Sequence, residues 1–226
     1  MNILSSIDPK FDKILMKFGD IYRGIITNNN DKDIAEFIIR SEGLFRSWKS
    51  FFNPAYLSNI KRSPQLKNYF CEMLEKYLPE SGNGSWNGMD MQTGNLCNQY
   101  NNVLDAFIDI LNFNKFIFPD YDDVKSLLHK YVDRVSGHIS GMGILLTTSI
   151  LFIHDENHFM VLDDPVKKYF QINNDNDAID NYDSIIAYSQ NLSAKYKLSM
   201  WMVNKAYAVY IHGGQIKISN SKYIKI

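Results

Sequence analysis

Apolar residues recur every three or four positions through most of this chain, and that period commits it to helices packed on one another. Phe11, Ile14, Leu15, Phe18, Ile21, Tyr22 and Ile25 form one stripe. Leu66, Tyr69, Phe70, Met73, Leu74 and Tyr77 form a second, and Tyr100, Val103, Leu104, Phe107, Ile108 and Leu111 a third. Val124, Leu127, Leu128, Tyr131, Val132 and Val135 form the cleanest. Such spacing lines one face of a helix and leaves the other to water. Asp31 or Asp33 is placed to cap a short helix carrying Ile34, Phe37 and Ile38. Ser63-Pro64 opens the second stripe, which stops at Pro79. Asn181 or Asp183 starts a helix through Ile185, Ile186 and Leu192, and a last helix runs from about Ser199 to Tyr210 before Gly213-Gly214. Only the tail, Gln215 to Ile226, alternates like a strand or small hairpin. The expected class is all-α with a small C-terminal β-hairpin.

Composition narrows the function. A 226-residue chain that is 45% hydrophobic and 14% aromatic builds its own core and is not disordered. Lys and Arg number 24 against 25 Asp and Glu, a net charge of −1. That balance excludes a polybasic nucleic-acid binder, whose affinity comes from neutralising phosphates, and an acidic tail protein. Cys71 and Cys97 have neither CxxC nor zinc-ligand spacing and are too few for a four-thiolate iron–sulfur cluster. The five histidines, His129, His138, His154, His158 and His212, show no ligand pair four apart on one helix, so no catalytic metal is expected. Asp8, Lys10, Asp12, Lys13 and Lys17 interrupt any signal-peptide core, and Ile144 to Ile153 is about half a membrane span. The reading is a soluble, cytoplasmic protein in a reducing compartment.

The chemistry concentrates between Val135 and Lys168. A helix ends near Val135, the turn Gly137-His-Ile-Ser-Gly141-Met142-Gly143 follows, and a second apolar helix runs from Ile144 to about Ile153. Glycines let the backbone turn sharply and approach a partner closely. The helix start behind them offers free amides and the positive dipole end to a phosphate. DNA is then held through the main chain at Ser140, Gly141, Met142 and Gly143, with little basic charge. After Asp155-Glu156-Asn157, the apolar run His158-Phe159-Met160-Val161-Leu162 delivers Asp163-Asp164 before Pro165-Val166-Lys167-Lys168. Either aspartate can cap the next helix. The capping role suits Asp164, directly before the proline, and leaves Asp163 without an obvious local job.

These residues resemble the helix-hairpin-helix DNA glycosylases, nearest the adenine glycosylase branch with endonuclease III as a wider relative. The hairpin glycines match Gly141 and Gly143. Asp163 stands 22 residues after Gly141, at the place of the family's essential aspartate. His158-Phe159 and Val166-Lys167 also match, over about 30 residues in all. Leu145 occupies the position of the Schiff-base lysine of bifunctional members. The C-terminal cluster cysteines are absent, Ile139-Ser140 replaces a Leu-Pro, and Pro165 replaces a residue that is not usually proline. The resemblance therefore implies a monofunctional DNA glycosylase without an iron–sulfur cluster. It flips a damaged or modified base and leaves an abasic site, in repair or in defence against modified phage DNA. Asp163 is its catalytic carboxylate, Lys167 and Lys168 add phosphate contacts, and no cofactor is needed beyond a monovalent cation at the hairpin.

The partner implied is double-stranded DNA, the state a monomer, and the architecture two helical lobes around a cleft. Residues 1–30 with 160–226 form one lobe, and 31–159 form the other, ending in the helix-hairpin-helix at 124–153. Gly82 to Gly94 carries four glycines around Trp86, Met89 and Met91, and reads as a surface loop or as a pocket lining in which Trp86 and Gln92 meet the flipped base. Trp48 and Trp201 read as core. Two rival readings stand beside the enzyme: a non-catalytic helix-hairpin-helix DNA-binding protein, which has no need of Asp163, and an α-helical interaction protein.

Overall fold

The computed structural model describes residues 7–77, 96–113, 120–132, 139, 142–218 and 222–226. Helix α1 (Pro9–Tyr22) begins where the Asp8 carboxylate accepts the amides of Lys10 and Phe11. It ends before the stripe does: Gly24 takes φ +80°, the chain turns away, and Tyr22 and Ile25 are 40% and 48% exposed. Helix α2 (Asn29–Phe51) is far longer than the short helix expected. Ser41, Phe45, Trp48 and Phe51 carry its inward face onward, and its cap is Asn28, whose Oδ1 accepts the Asp31 amide at 3.0 Å. Asp31 itself turns inward. Lys17, 2.5 Å away, and the hydroxyl and amide of Thr27 hold its carboxyl well below the usual range.

Helix α3 (Pro54–Lys61) leads to a short 3-10 turn, Pro64–Leu66, and then to α4 (Lys67–Tyr77). Ser63 therefore precedes the 3-10 turn without capping it through its side chain. Leu66 and Tyr69 lie on the outside rather than in the buried stripe. Pro79 is outside the described residues. Cys71 on α4 is disulfide-bonded to Cys97, with the two Cα atoms 5.8 Å apart. This bond is at odds with the reducing compartment inferred from cysteine usage, since thiols there stay reduced.

The remaining helices are α5 (Tyr100–Leu111), α6 (Tyr121–Val132), α7 (Ile144–His154), α8 (Asp164–Tyr169), α9 (Asp175–Asp180), α10 (Tyr182–Tyr196) and α11 (Met200–Ile211). Strands β1 (Gln215–Lys217) and β2 (Tyr223–Lys225) pair antiparallel, with Ile216 opposite Ile224. The protein is thus all-α with a C-terminal hairpin, and no described helix is long and apolar enough to cross a membrane.

Packing follows the stripes. Helix α1 lies on α11 and also meets α2 and α10, while α8 lies on α11. Helix α7 packs against α5, α6 and α2, and α6 against α9. Helix α7 is apolar on every side and buried along almost its whole length, as such a helix must be. Trp48 and Trp201 are core, as their spacing suggests. Trp201 stacks on Phe45 at 5.0 Å and donates its indole N–H to the carbonyl and hydroxyl of Ser41, at 3.1 and 2.9 Å.

Candidate functional site

The candidate site is built where α7 hands the chain on to α8. The helices on either side of the expected hairpin, α6 and α7, pack together. Of the turn between them, Ile139, Met142 and Gly143 are among the described residues, while Ser140 and Gly141 lie outside them. Met142 is buried and its amide donates to the Ile139 carbonyl at 3.0 Å. That amide is engaged in closing the turn. Gly143 is the N-cap of α7, in extended backbone with φ −118° and ψ −178°, and no side-chain oxygen caps the helix start. A Cβ placed on Gly143 meets nothing within 4 Å. Internal packing therefore does not require glycine here, and the space beside it is open.

From Phe159 to Asp163 the chain runs through a buried, non-helical stretch whose polar backbone needs partners. Helices on three sides supply them. The Tyr182 hydroxyl of α10 accepts the Met160 amide at 3.1 Å and donates to the Met160 carbonyl at 2.6 Å. The Asn204 amide of α11 donates to the Val161 carbonyl at 3.4 Å. The Thr148 hydroxyl of α7 accepts the Leu162 amide at 3.0 Å. Phe159, Met160, Val161 and Leu162 are buried between these clamps. At the surface end of the run, His158 Nδ1 meets Asp155 at 2.7 Å.

The stretch ends on Asp163, which is 1% exposed. Its Oδ1 accepts the Val166 amide at 3.0 Å, so Asp163 is the N-cap of α8. This reverses the expected division of labour: Asp164 is the first helical residue, its side chain 75% exposed and 3.7 Å from Lys167. Pro165 fits the first turn without displacing Asp163 from the cap. Lys167 also reaches Asp175 at 3.4 Å, whereas Lys168 is exposed. The two lysines therefore do not form one free cationic face.

Lys205 on α11 is 2% exposed, with its ammonium 4.1 Å from the centroid of the Trp201 ring. Burial pushes this ammonium down to about 8, and the opposing pull is the negative charge of Asp163. A buried carboxylate and a buried ammonium thus act on each other where α7, α8 and α11 meet. The available signal was a polar pair, Asn204-Lys205, inside the otherwise apolar run Met200–Val209. Leu145, at the family's lysine position, is half-buried and apolar. Trp86 and Gln92 lie outside the described residues. No cluster of three His, Cys, Asp or Glu among the described residues is placed to hold a metal ion.

No known protein family, curated protein or solved structure matches this chain.

Proposed function

We propose that this protein is a monofunctional DNA glycosylase of the helix-hairpin-helix kind. The observation that carries the reading is Asp163. A packed helix pair is followed, through a clamped backbone, by a single pre-organised carboxylate at a helix start, whose charge acts on a buried ammonium. A base inside a duplex is out of reach, so the nucleotide is flipped out, at a cost of roughly a few kcal/mol. As the bond between base and sugar breaks, its electron pair leaves with the base and positive charge builds on the sugar. A fixed carboxylate stabilises that charge and accepts the proton of the water that adds to the sugar carbon. The proton ends on the released base. Asp163 is covered in this structure, so DNA binding must open a path to it. The start of α7 at Gly143 takes a phosphate and sets the register. A monovalent cation at the hairpin belongs to the same reading, by resemblance.

The burial and capping role of Asp163 also support a second reading, a non-catalytic helix-hairpin-helix DNA-binding protein in which the carboxylate is structural. Mass spectrometry of bases released from a panel of damaged and phage-modified duplexes, with wild type and Asp163→Asn, separates the two. Base release by wild type alone is the expected result. DNA binding by both proteins, with release by neither, sinks the enzyme. Absence of binding even at low salt leaves the α-helical interaction protein.

A further inference from the structure

Lys205 has no counterpart in the resemblance and no place in the chemistry above, yet it is among the most enclosed charges in the molecule. Its position is set through two contacts from α2. Ser199 caps α11 by accepting the Met202 amide at 3.2 Å and donates its hydroxyl to Glu42 at 2.7 Å. One turn before Lys205, Trp201 is pinned to Ser41. Side chains four apart share a helix face and lean toward its N-terminus, so the Lys205 stem folds back over the Trp201 ring. Helix α11 packs on α8, and Asn204, next to Lys205, bonds the Val161 carbonyl two residues before Asp163, so the ammonium is held where the charge of Asp163 acts on it. The Asp163 backbone is in turn held by Thr148 through Leu162.

We propose that Lys205 is the positioning residue for Asp163: its ammonium, fixed over Trp201, keeps the carboxylate ionised and oriented at the start of α8. The inference rests on the glycosylase reading for its purpose, but not for its geometry. Several other charges on the elements around α11 are engaged elsewhere. Asp12 of α1 meets Lys195 and Tyr196 of α10, Lys17 meets Asp31, Glu42 of α2 meets Tyr22 and Ser199, and Lys167 of α8 meets Asp164 and Asp175. Asp163 is the charge that acts on Lys205. A carboxylate this buried, without a cation beside it, takes up a proton and loses the charge that stabilises a developing sugar cation.

Carbon-13 NMR titration of the Asp163 carboxyl in the full-length protein tests this directly. Lys205→Met is expected to raise its midpoint by about 1–3 pH units, and Lys205→Arg to restore most of the shift. In base release, Lys205→Met is expected to move the acid limb of the rate profile upward by the same amount, lowering turnover while leaving DNA affinity unchanged. Identical Asp163 titrations in wild type and Lys205→Met overturn the proposal. If Lys205→Met does not fold, nitrogen-15 titration of Lys205 in Asp163→Asn decides. A midpoint falling below the wild-type value supports the pair, and an unchanged midpoint overturns it. A shifted titration together with no base release by wild type upholds the pair and sinks the glycosylase reading instead.

Discussion

Lys205 on α11 and Asp163 at the start of α8 have 2% and 1% of their surface exposed, so their charges act on each other almost out of reach of water. Two ions taken from water cost several kcal/mol each, and their attraction returns that only when the geometry is good. The pair therefore makes this region sensitive to proton uptake and to mutation in ways that surface ion pairs are not.

The first consequence is an unusual alkaline stability profile. Lys205 titrates at about 8 in the fold against an ordinary 10.5, so between these values the unfolded chain binds more protons. Stability then rises with pH across that window, by up to roughly 3 kcal/mol. Tyrosines oppose it higher up. Burial, with the neighbouring carboxylates of Glu42 and Asp109, pushes Tyr22 and Tyr131 up to about 12, and burial raises Tyr169, Tyr182 and Tyr207 as well. Above about pH 10 the unfolded tyrosines ionise first and stability falls. Denaturant unfolding across pH 7–11 is expected to peak near pH 10 in wild type, and the rise from pH 8 is expected to vanish in Lys205→Met.

The second concerns what Asp163 does. Asparagine caps helices as well as aspartate, so Asp163→Asn keeps the bond to the Val166 amide and removes only the charge. Asp163→Ala removes both. The cap alone contributes about 1 kcal/mol, and an ammonium left buried without its partner costs about 3–5 kcal/mol. Thermal unfolding at pH 7 is expected to rank wild type above Asp163→Asn and Asp163→Ala lowest. Raising the pH to 9 is expected to narrow the gap for both variants, because Lys205 is then largely neutral. A gap independent of pH would show that the charges do not act on each other.

The third concerns the disulfide. Cys71 and Cys97 are separated by 26 residues, and closing a loop of that size restricts the unfolded chain by roughly 3–4 kcal/mol. Reduction, or Cys71→Ser with Cys97→Ser, is expected to lower the midpoint of urea unfolding by a corresponding amount. A midpoint unchanged by reductant means the bond is not closed in solution.

The helical class and the helix order were legible because burial imposes a period on each helix separately. The stripes through Phe11, Val103 and Val124 point inward as their spacing implies. Stripe ends were not legible: Ile25 and Tyr69 continue the period, but the chain has already turned or faced solvent. Spacing singles out Asp163, but its capping role was not legible, since Asp164, directly before the proline, suits a cap better on sequence alone. The environment of Asp163 was hidden altogether. Thr148 in α7 and Asn204 and Lys205 in α11 are polar residues in largely apolar helices, Tyr182 opens α10, and which backbone or carboxylate each meets depends on how these helices cross. The disulfide was hidden for the same reason.

The last prediction separates fold from DNA binding at Gly143. Glycine is a fair N-cap, but aspartate is a better one in the extended backbone found there, and its charge suits the positive end of the helix dipole. A Cβ at this position meets nothing within 4 Å, so the side chain starts into open space. Gly143→Asp is therefore expected to leave the fold intact and to raise stability by a few tenths to about 1 kcal/mol. In the proposed function the same carboxylate would stand where a DNA phosphate meets the α7 amides, repelling the backbone and covering the donors. If the hairpin holds phosphate, fluorescence anisotropy with a labelled duplex shows at least a tenfold loss of affinity in a protein that has become more stable. With a net charge of −1, wild-type binding itself should weaken only gently with added salt. Equal affinity for DNA in wild type and Gly143→Asp removes α7 from the interface, and with it the hairpin as the means by which this protein holds DNA.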